Sequence, residues 1–231
     1  MLFKTFLQTL PVLMAYLPLG IAFGILFSTL QVAWYFGILI AIFVFTAAGQ
    51  FLLISLLSIN AGLLEIGIAS FLLNIRHMFY SLAITPQIKN FGLSKYYILF
   101  GLTDETFALV KTCQQEQNLQ EQNLSLKALQ KHYITITFFN HMYWVVGCAL
   151  GVFIGKHLEF TPKGIEFSLT ALFSVLTLSL LQNSPNKIPF IIALGIGIVG
   201  LFLFPSEQFL LFSLLCGIFV LLIGKKWIYR G

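Results

Sequence analysis

The residues with the most chemistry to offer lie inside apolar stretches. One stretch reads Asn74-Ile75-Arg76-His77-Met78-Phe79-Tyr80-Ser81, and another carries Thr103-Asp104-Glu105-Thr106. A guanidinium, an imidazole and two carboxylates in apolar surroundings can pair with one another, hold an opposite charge from outside, or carry a proton. An unpaired charge at the middle of a bilayer costs ~2.5–3.5 kcal/mol, so three would cost on the order of 8–10 kcal/mol, comparable to the stability of a whole domain. Such groups must be paired or must line a wet cavity. Asp104 and Glu105 are the natural partners of Arg76, and burial of either carboxyl would permit proton coupling.

Spacing says where these groups point. On a helix, at about 100° per residue, Asn74, His77 and Ser81 share one face while Arg76 and Tyr80 lie well around from it. Polar groups on two faces require either enclosure by protein or an irregular helix. Arg76 is then a structural counter-ion, a snorkelling group or a ligand contact. His77 is a hydrogen-bonded packing residue or a proton carrier. Four consecutive polar residues at 103–106 sweep a whole helix, which predicts a break or the floor of a cavity. Lys95 and Lys111 leave only 15 residues between them, short for a crossing, and short or interrupted apolar segments point to a transporter's binding site. Ala47-Ala48-Gly49-Gln50 is expected to interrupt the segment before it, and Pro11 and Pro18 the first segment near Gly20. Amides freed at such breaks can hold a carboxylate. Gln50 either orients a ligand or bonds a neighbouring helix. Asn140, His141, Tyr143 and Trp144 form a polar–aromatic cluster at an interface or a cavity rim, and Glu166 most simply caps a helix start.

The elements that must position these groups follow from composition. Of 231 residues 58% are hydrophobic and 9% charged, with 25 Phe and a mean hydropathy of +0.93. So few charges cannot cover a water-facing surface, so lipid must solvate much of the exterior. The expected fold is all-α, a polytopic transmembrane helix bundle with broken or re-entrant helices, forming a single transmembrane domain over 1–231. Candidate spans are 6–28, 34–59, 62–86, 95–111, 132–155, 165–182, 187–204 and 207–224. The polar segment 112–131 is a cytosolic loop holding a tandem repeat, Glu116-Gln117-Asn118-Leu119 and Glu121-Gln122-Asn123-Leu124. With eight crossings, eight Lys or Arg fall on the side of the N-terminus and four on the other, which favours a cytoplasmic N-terminus. The first span is expected to be a retained helix rather than a signal peptide.

The net charge of +5 is spread over short connections, with no basic cluster interleaved with aromatics, so no nucleic-acid partner is expected. Cys113, Cys148 and Cys216 lack metal-ligand spacing and an even count, so neither a metal nor a disulfide is expected. Gly20 and Gly24, and Gly147, Gly151 and Gly155, have the spacing of close helix–helix contacts. Gly195-x-Gly197-x-x-Gly200 matches a dinucleotide fingerprint in letters alone, lacking the preceding strand, and no cofactor is expected.

At these residues the chain resembles the AzlC family, the larger subunit type of bacterial branched-chain amino acid exporters. The matching pieces are Pro18-Leu19-Gly20-Ile21-Ala22-Phe23-Gly24, Ala48-Gly49-Gln50-Phe51, Asn74 to Tyr80, Leu102-Thr103-Asp104-Glu105-Thr106-Phe107-Ala108, and Gly164-Ile165-Glu166-Phe167 with Ala171-Leu172-Phe173. Glu166 stands where the family often has Asp, and the region 177–205 is too generic to match. The resemblance implies a multi-pass permease of the bacterial cytoplasmic (inner) membrane that exports leucine, isoleucine and valine, with methionine export linked to some relatives. It also implies a small AzlD-type membrane partner. Asn74, Arg76, His77, Asp104 and Glu105 would then form the polar centre, with Gln50, Gly20 and Gly24 beside it. The substrate carboxylate would meet Arg76 or a broken-helix N-terminus, and its ammonium group Asp104 or Glu105. The rival readings are a structural subunit that transports nothing, an intramembrane enzyme and a channel. No Gly-x-Ser-x-Gly elbow or His-Glu-x-x-His pair supports an enzyme.

Overall fold

The computed structural model describes residues 2–120, 125–157 and 187–203, with short runs within 174–181 and 213–224. The expected spans 165–182 and 207–224 fall largely, and Glu166 and residues 121–124 wholly, outside the described residues. Among the described residues the protein is all-α, with no strand. The described helices are α1 (Leu2–Ser28), α2 (Tyr35–Phe43), α3 (Ala47–Ser58), α4 (Leu63–Ile88), α5 (Ser94–Phe100), α6 (Asp104–Gln120), α7 (Leu126–His157) and α8 (Ile188–Leu203). Among them α1 and α7 are long and apolar enough to cross a membrane; at 1.5 Å per residue they measure about 40 and 48 Å.

The chain divides into two compact units, one of residues 1–54 and 73–165, the other of 55–72 and 166–231. The first unit is built on α1 and α7, which run in parallel with their glycines interleaved. A Cβ on Gly20 would lie 3.0 Å from the Cα of Gly147, and one on Gly147 would lie 2.9 Å from the carbonyl oxygen of Leu17. Gly24 packs on the backbone of Cys148 and Val152, Gly151 on Ile21, and Gly155 on Ser28. Both glycine files therefore serve one interface. In lipid, where apolar side chains gain little by leaving one another for the bilayer, this close backbone approach is a main source of helix association. Pro11 and Pro18 do not interrupt α1, contrary to expectation; both lie inside one continuous helix. Pro removes one backbone donor, and a helix packed on its neighbours tolerates that loss.

Aromatic rings fill the space around the glycine seam: Tyr16, Phe23, Phe27 and Trp144 are each at most 1% exposed. A second core joins the C-terminal half of α4 to α5, α6 and α7 through Ile84, Ile88, Ile98, Leu102, Val110 and Ile136. At one end of α7, Lys156 lies over the Trp34 ring, with Nζ 5.0 Å from its centroid, and Trp34 packs on Phe153. A cation beside an indole at a helix end is the usual furnishing of a membrane–water boundary.

The second unit contains the end of α3, the start of α4 and α8. Asn60, at φ 53°, makes the turn between α3 and α4, and Asn tolerates the left-handed conformation better than most residues. On α8, Ile191, Leu194, Ile198 and Phe202 are all exposed, as expected of a helix solvated by lipid.

Candidate functional site

Two helices of the first unit are interrupted: α2 gives way to α3 across 44–46, and α5 to α6 across 101–103. At the later interruption Gly101 lies against the Thr137 side chain, which occupies the place a Cβ would need. Leu102 and Thr103 are buried, and Thr103 Oγ1 caps the new helix by accepting the Thr106 N–H at 3.3 Å. Asp104 and Glu105 thus fall in the first turn of α6, where the helix dipole favours negative charge.

The two carboxylates then take different partners. Asp104 Oδ2 pairs with Arg76 Nη1 of α4 at 2.6 Å, and the two side chains are 30% and 29% exposed. Among the described residues, Asp104 Oδ1 and Arg76 Nε are buried atoms with no hydrogen-bond partner. Glu105 turns toward α1 and accepts the Tyr16 O–H at 2.5 Å. The Tyr16 oxygen also lies 2.8 Å from Thr103 Oγ1, which is 3.0 Å from Thr106 Oγ1, to which Asn140 Nδ2 of α7 donates at 3.0 Å.

The earlier interruption is closed by neutral groups. Gln50 Nε2 donates to the carbonyls of Val44 (2.5 Å) and Ile40 (3.3 Å), while Gln50 Oε1 accepts the Trp144 Nε1–H at 3.0 Å. His141 Nε2 donates to the Ile42 carbonyl at 3.2 Å, and Tyr97 O–H donates to His141 Nδ1 at 3.3 Å. The carbonyl contact requires a hydrogen on Nε2, which in the neutral tautomer leaves Nδ1 to accept from Tyr97. Thr46, just before α3, donates to Asn74 Oδ1 at 2.7 Å. A Cβ on Gly49 would meet Thr46 Cγ2 at 2.7 Å and Asn74 Nδ2 at 3.1 Å, so a larger residue would push α3 off α4. α4 therefore touches both interruptions, one through Asn74 and the other through Arg76.

The AzlC protein family profile matches residues 11–158. The chain belongs to the AzlC family. It is 31% identical over 221 residues to an uncharacterised membrane protein of Helicobacter pylori, covering 96% of this chain and 93% of that relative. It is 27% identical over 223 residues to the branched-chain amino acid transport protein AzlC of Bacillus subtilis, covering 96% of this chain and 85% of that one. With the inner membrane protein YgaZ of Escherichia coli the identity is 25% over 226 residues, covering 95% and 89%. No solved structure matches the chain. Membership agrees with the helical architecture: the protein is an all-α membrane protein with interrupted helices.

In this AzlC chain the structure brings Arg76 to Asp104, Asn74 to the earlier interruption, and Glu105 to Tyr16 instead of to Arg76. His77 stays on its own helix, its Nδ1 3.3 Å from the Asn74 carbonyl and its ring edge-on to Tyr80. Gln50 bonds a neighbouring helix, the second of its two readings. Gly20 and Gly24 lie in the α1–α7 seam, against the backbone of Gly147, Cys148, Gly151 and Val152. Tyr16 and Asn140 were not among the sequence candidates for the polar centre. Asn140 carried a signal as a member of the polar–aromatic cluster with His141, Tyr143 and Trp144; Tyr16, among aromatics of similar size, carried none. Among the described residues no group of three His, Cys, Asp or Glu could hold a metal.

Proposed function

We propose that this chain is a membrane transporter subunit that moves branched-chain amino acids (leucine, isoleucine and valine, with methionine as a further substrate) outward across the bacterial cytoplasmic membrane, working with a small AzlD-type membrane partner. Family membership and the Bacillus subtilis relative, named as a branched-chain amino acid transport protein, support a role in membrane transport. The observation that carries the site is the Arg76–Asp104 ion pair at a helix interruption, with each partner near 30% exposure. Discontinuous helices are where transporters bind small charged substrates.

The chemistry fits a zwitterion. An amino acid entering between Arg76 and Asp104 offers a carboxylate to the guanidinium and an ammonium to the carboxylate. One ion pair becomes two, and the net charge of the site does not change. The unpartnered Arg76 Nε and Asp104 Oδ1 supply further donor and acceptor positions, and buried polar atoms left unpaired cost ~1–3 kcal/mol each. An apolar wall rich in Phe and Leu would receive the apolar part of the substrate. The positive-inside bias supports a cytoplasmic N-terminus and a multi-pass arrangement.

Asp104→Asn tests the reading. The variant keeps its volume and should still insert, but counterflow of labelled leucine in vesicles containing the chain and its small partner should fall to background. Full counterflow by that variant would remove Asp104 from the site. Absent counterflow in the unaltered complex would remove the transport function itself.

A further inference from the structure

Glu105 and Asp104 are adjacent in sequence, yet the structure gives them different electrostatic settings. Asp104 has a cation at 2.6 Å. Glu105 is held by a row of uncharged groups that runs from α1 through α6 to α7: Tyr16, Thr103, Thr106 and Asn140. Tyr16, Thr106 and Asn140 are at most 1% exposed and Thr103 is 4% exposed.

Counting hydrogens fixes the direction of this row. An ionised carboxylate only accepts, so the single Tyr16 hydrogen goes to Glu105. The geometry also aims the Tyr16 O–H at Thr103 Oγ1, and one hydrogen serves only one acceptor. With Glu105 ionised it stays on Glu105, so Thr103 must turn its own hydrogen to Tyr16 and accept from Thr106, whose oxygen accepts the Asn140 amide N–H. Every hydroxyl donates once, and the row has one polarity, from Asn140 to Glu105. The free end is Asn140 Oδ1, a buried acceptor without a partner among the described residues. If a proton arrives on Glu105, that group becomes a donor and each bond in the row reverses. Glu105 O–H then donates to Tyr16, Tyr16 to Thr103, Thr103 to Thr106, and Thr106 to Asn140 Oδ1 once the amide has turned over. No hydroxyl ionises and no hydrogen is gained or lost beyond the one that arrived. The other ionisable groups around Glu105 are His77 and Tyr80 of α4 and its neighbour Asp104, whose charge Arg76 already matches.

We infer that Glu105 is the proton-carrying carboxylate of transport, and that Tyr16, Thr103, Thr106 and Asn140 are the positioning residues that pass its protonation state to α1 and α7. Asp104 is the ion-paired partner of the substrate site. This division of labour rests on the transport reading above. It also gives the buried row a consequence at the scale of the molecule, because α1 and α7 form the tightly packed seam around which the interrupted helices are arranged.

The test uses the complete complex in liposomes with labelled leucine and two readouts: counterflow at equal pH on both sides, and accumulation driven by an imposed pH gradient. Glu105→Gln should keep counterflow and lose gradient-driven accumulation. Tyr16→Phe deletes the hydroxyl without opening a cavity; it should keep counterflow, lower gradient-driven accumulation by about tenfold, and displace its pH profile, as loss of a hydrogen bond to a charged group predicts. Gradient-driven accumulation by Glu105→Gln at the unaltered rate would overturn the inference and leave the transport reading standing. Loss of counterflow in an inserted Glu105→Gln protein would also overturn it, making Glu105 a substrate ligand. A complex that shows no counterflow before any substitution would overturn the transport reading, and this inference with it.

Discussion

The two helix interruptions of the first unit are alike in backbone and opposite in chemistry. At 44–46 the carbonyls of Ile40, Ile42 and Val44 receive donors from Gln50 and His141, and those groups are in turn satisfied by Trp144 and Tyr97. Gln50 is 1% exposed. At 101–103 the local groups are charged, about 30% exposed, and leave an acceptor on Asp104 and a donor on Arg76 without partners. Inside lipid every freed backbone group must find a partner within the protein. One interruption meets three of its carbonyls with neutral side chains and reads as a joint. The other leaves polar capacity over, and leftover capacity is what a ligand can use. An interrupted helix is therefore a weak indicator by itself; the accounting of its donors and acceptors separates a hinge from a site.

The largest effect should come from the charged interruption. Arg76→Gln leaves Asp104 without its cation, so leucine transport should drop more than about a hundredfold and stability should fall by ~2–3 kcal/mol, seen as a lowered unfolding temperature in detergent. Adding Asp104→Asn to that variant should restore most of the stability and none of the transport. A double variant that transports would make the ion pair structural and move the site elsewhere. Gln50→Leu is the matching experiment at the neutral interruption. It strips a donor from the Val44 and Ile40 carbonyls and an acceptor from Trp144, so a stability loss of ~2 kcal/mol is expected. The surviving protein should keep the KM for leucine of the unaltered complex. A raised KM at unchanged stability would show that both interruptions face the substrate.

Much of this arrangement was legible beforehand, for physical reasons. Four polar residues in succession cannot share one helix face, so the break beside Asp104 follows from geometry; the break expected at Ala47-Ala48-Gly49-Gln50 falls instead at 44–46, and those four residues form the first turn of α3. The glycine spacing announced close contacts, and the structure shows that Gly20 and Gly24 meet Gly147 and Gly151 in one seam. What stayed illegible depends on contacts far apart in the chain. Nothing local says that Glu105 turns to Tyr16, 89 residues away, while its neighbour turns to Arg76. The prolines of α1 misled because propensity argues for a break that packing against α7 overrides.

The smallest effect, and the one that resolves the comparison most finely, is Trp144→Phe. The indole N–H is the third bond of the Gln50 amide, and removing it alone should cost ~1 kcal/mol, with a similar amount for the lost volume beside Tyr16 and Phe23. Measured with Gln50→Leu in a double-mutant cycle, it should show a coupling of about 1 kcal/mol, because the two side chains share one hydrogen bond. Measured with Arg76→Gln it should be additive. Trp144 and Gln50 serve the neutral joint, and their hydrogen bonds run to each other and to the Val44 and Ile40 carbonyls rather than to the ion pair. Coupling between Trp144 and Arg76 as large as that between Trp144 and Gln50 would mean that the joint and the site are one cooperative network, passing strain through α4 from Asn74 to Arg76.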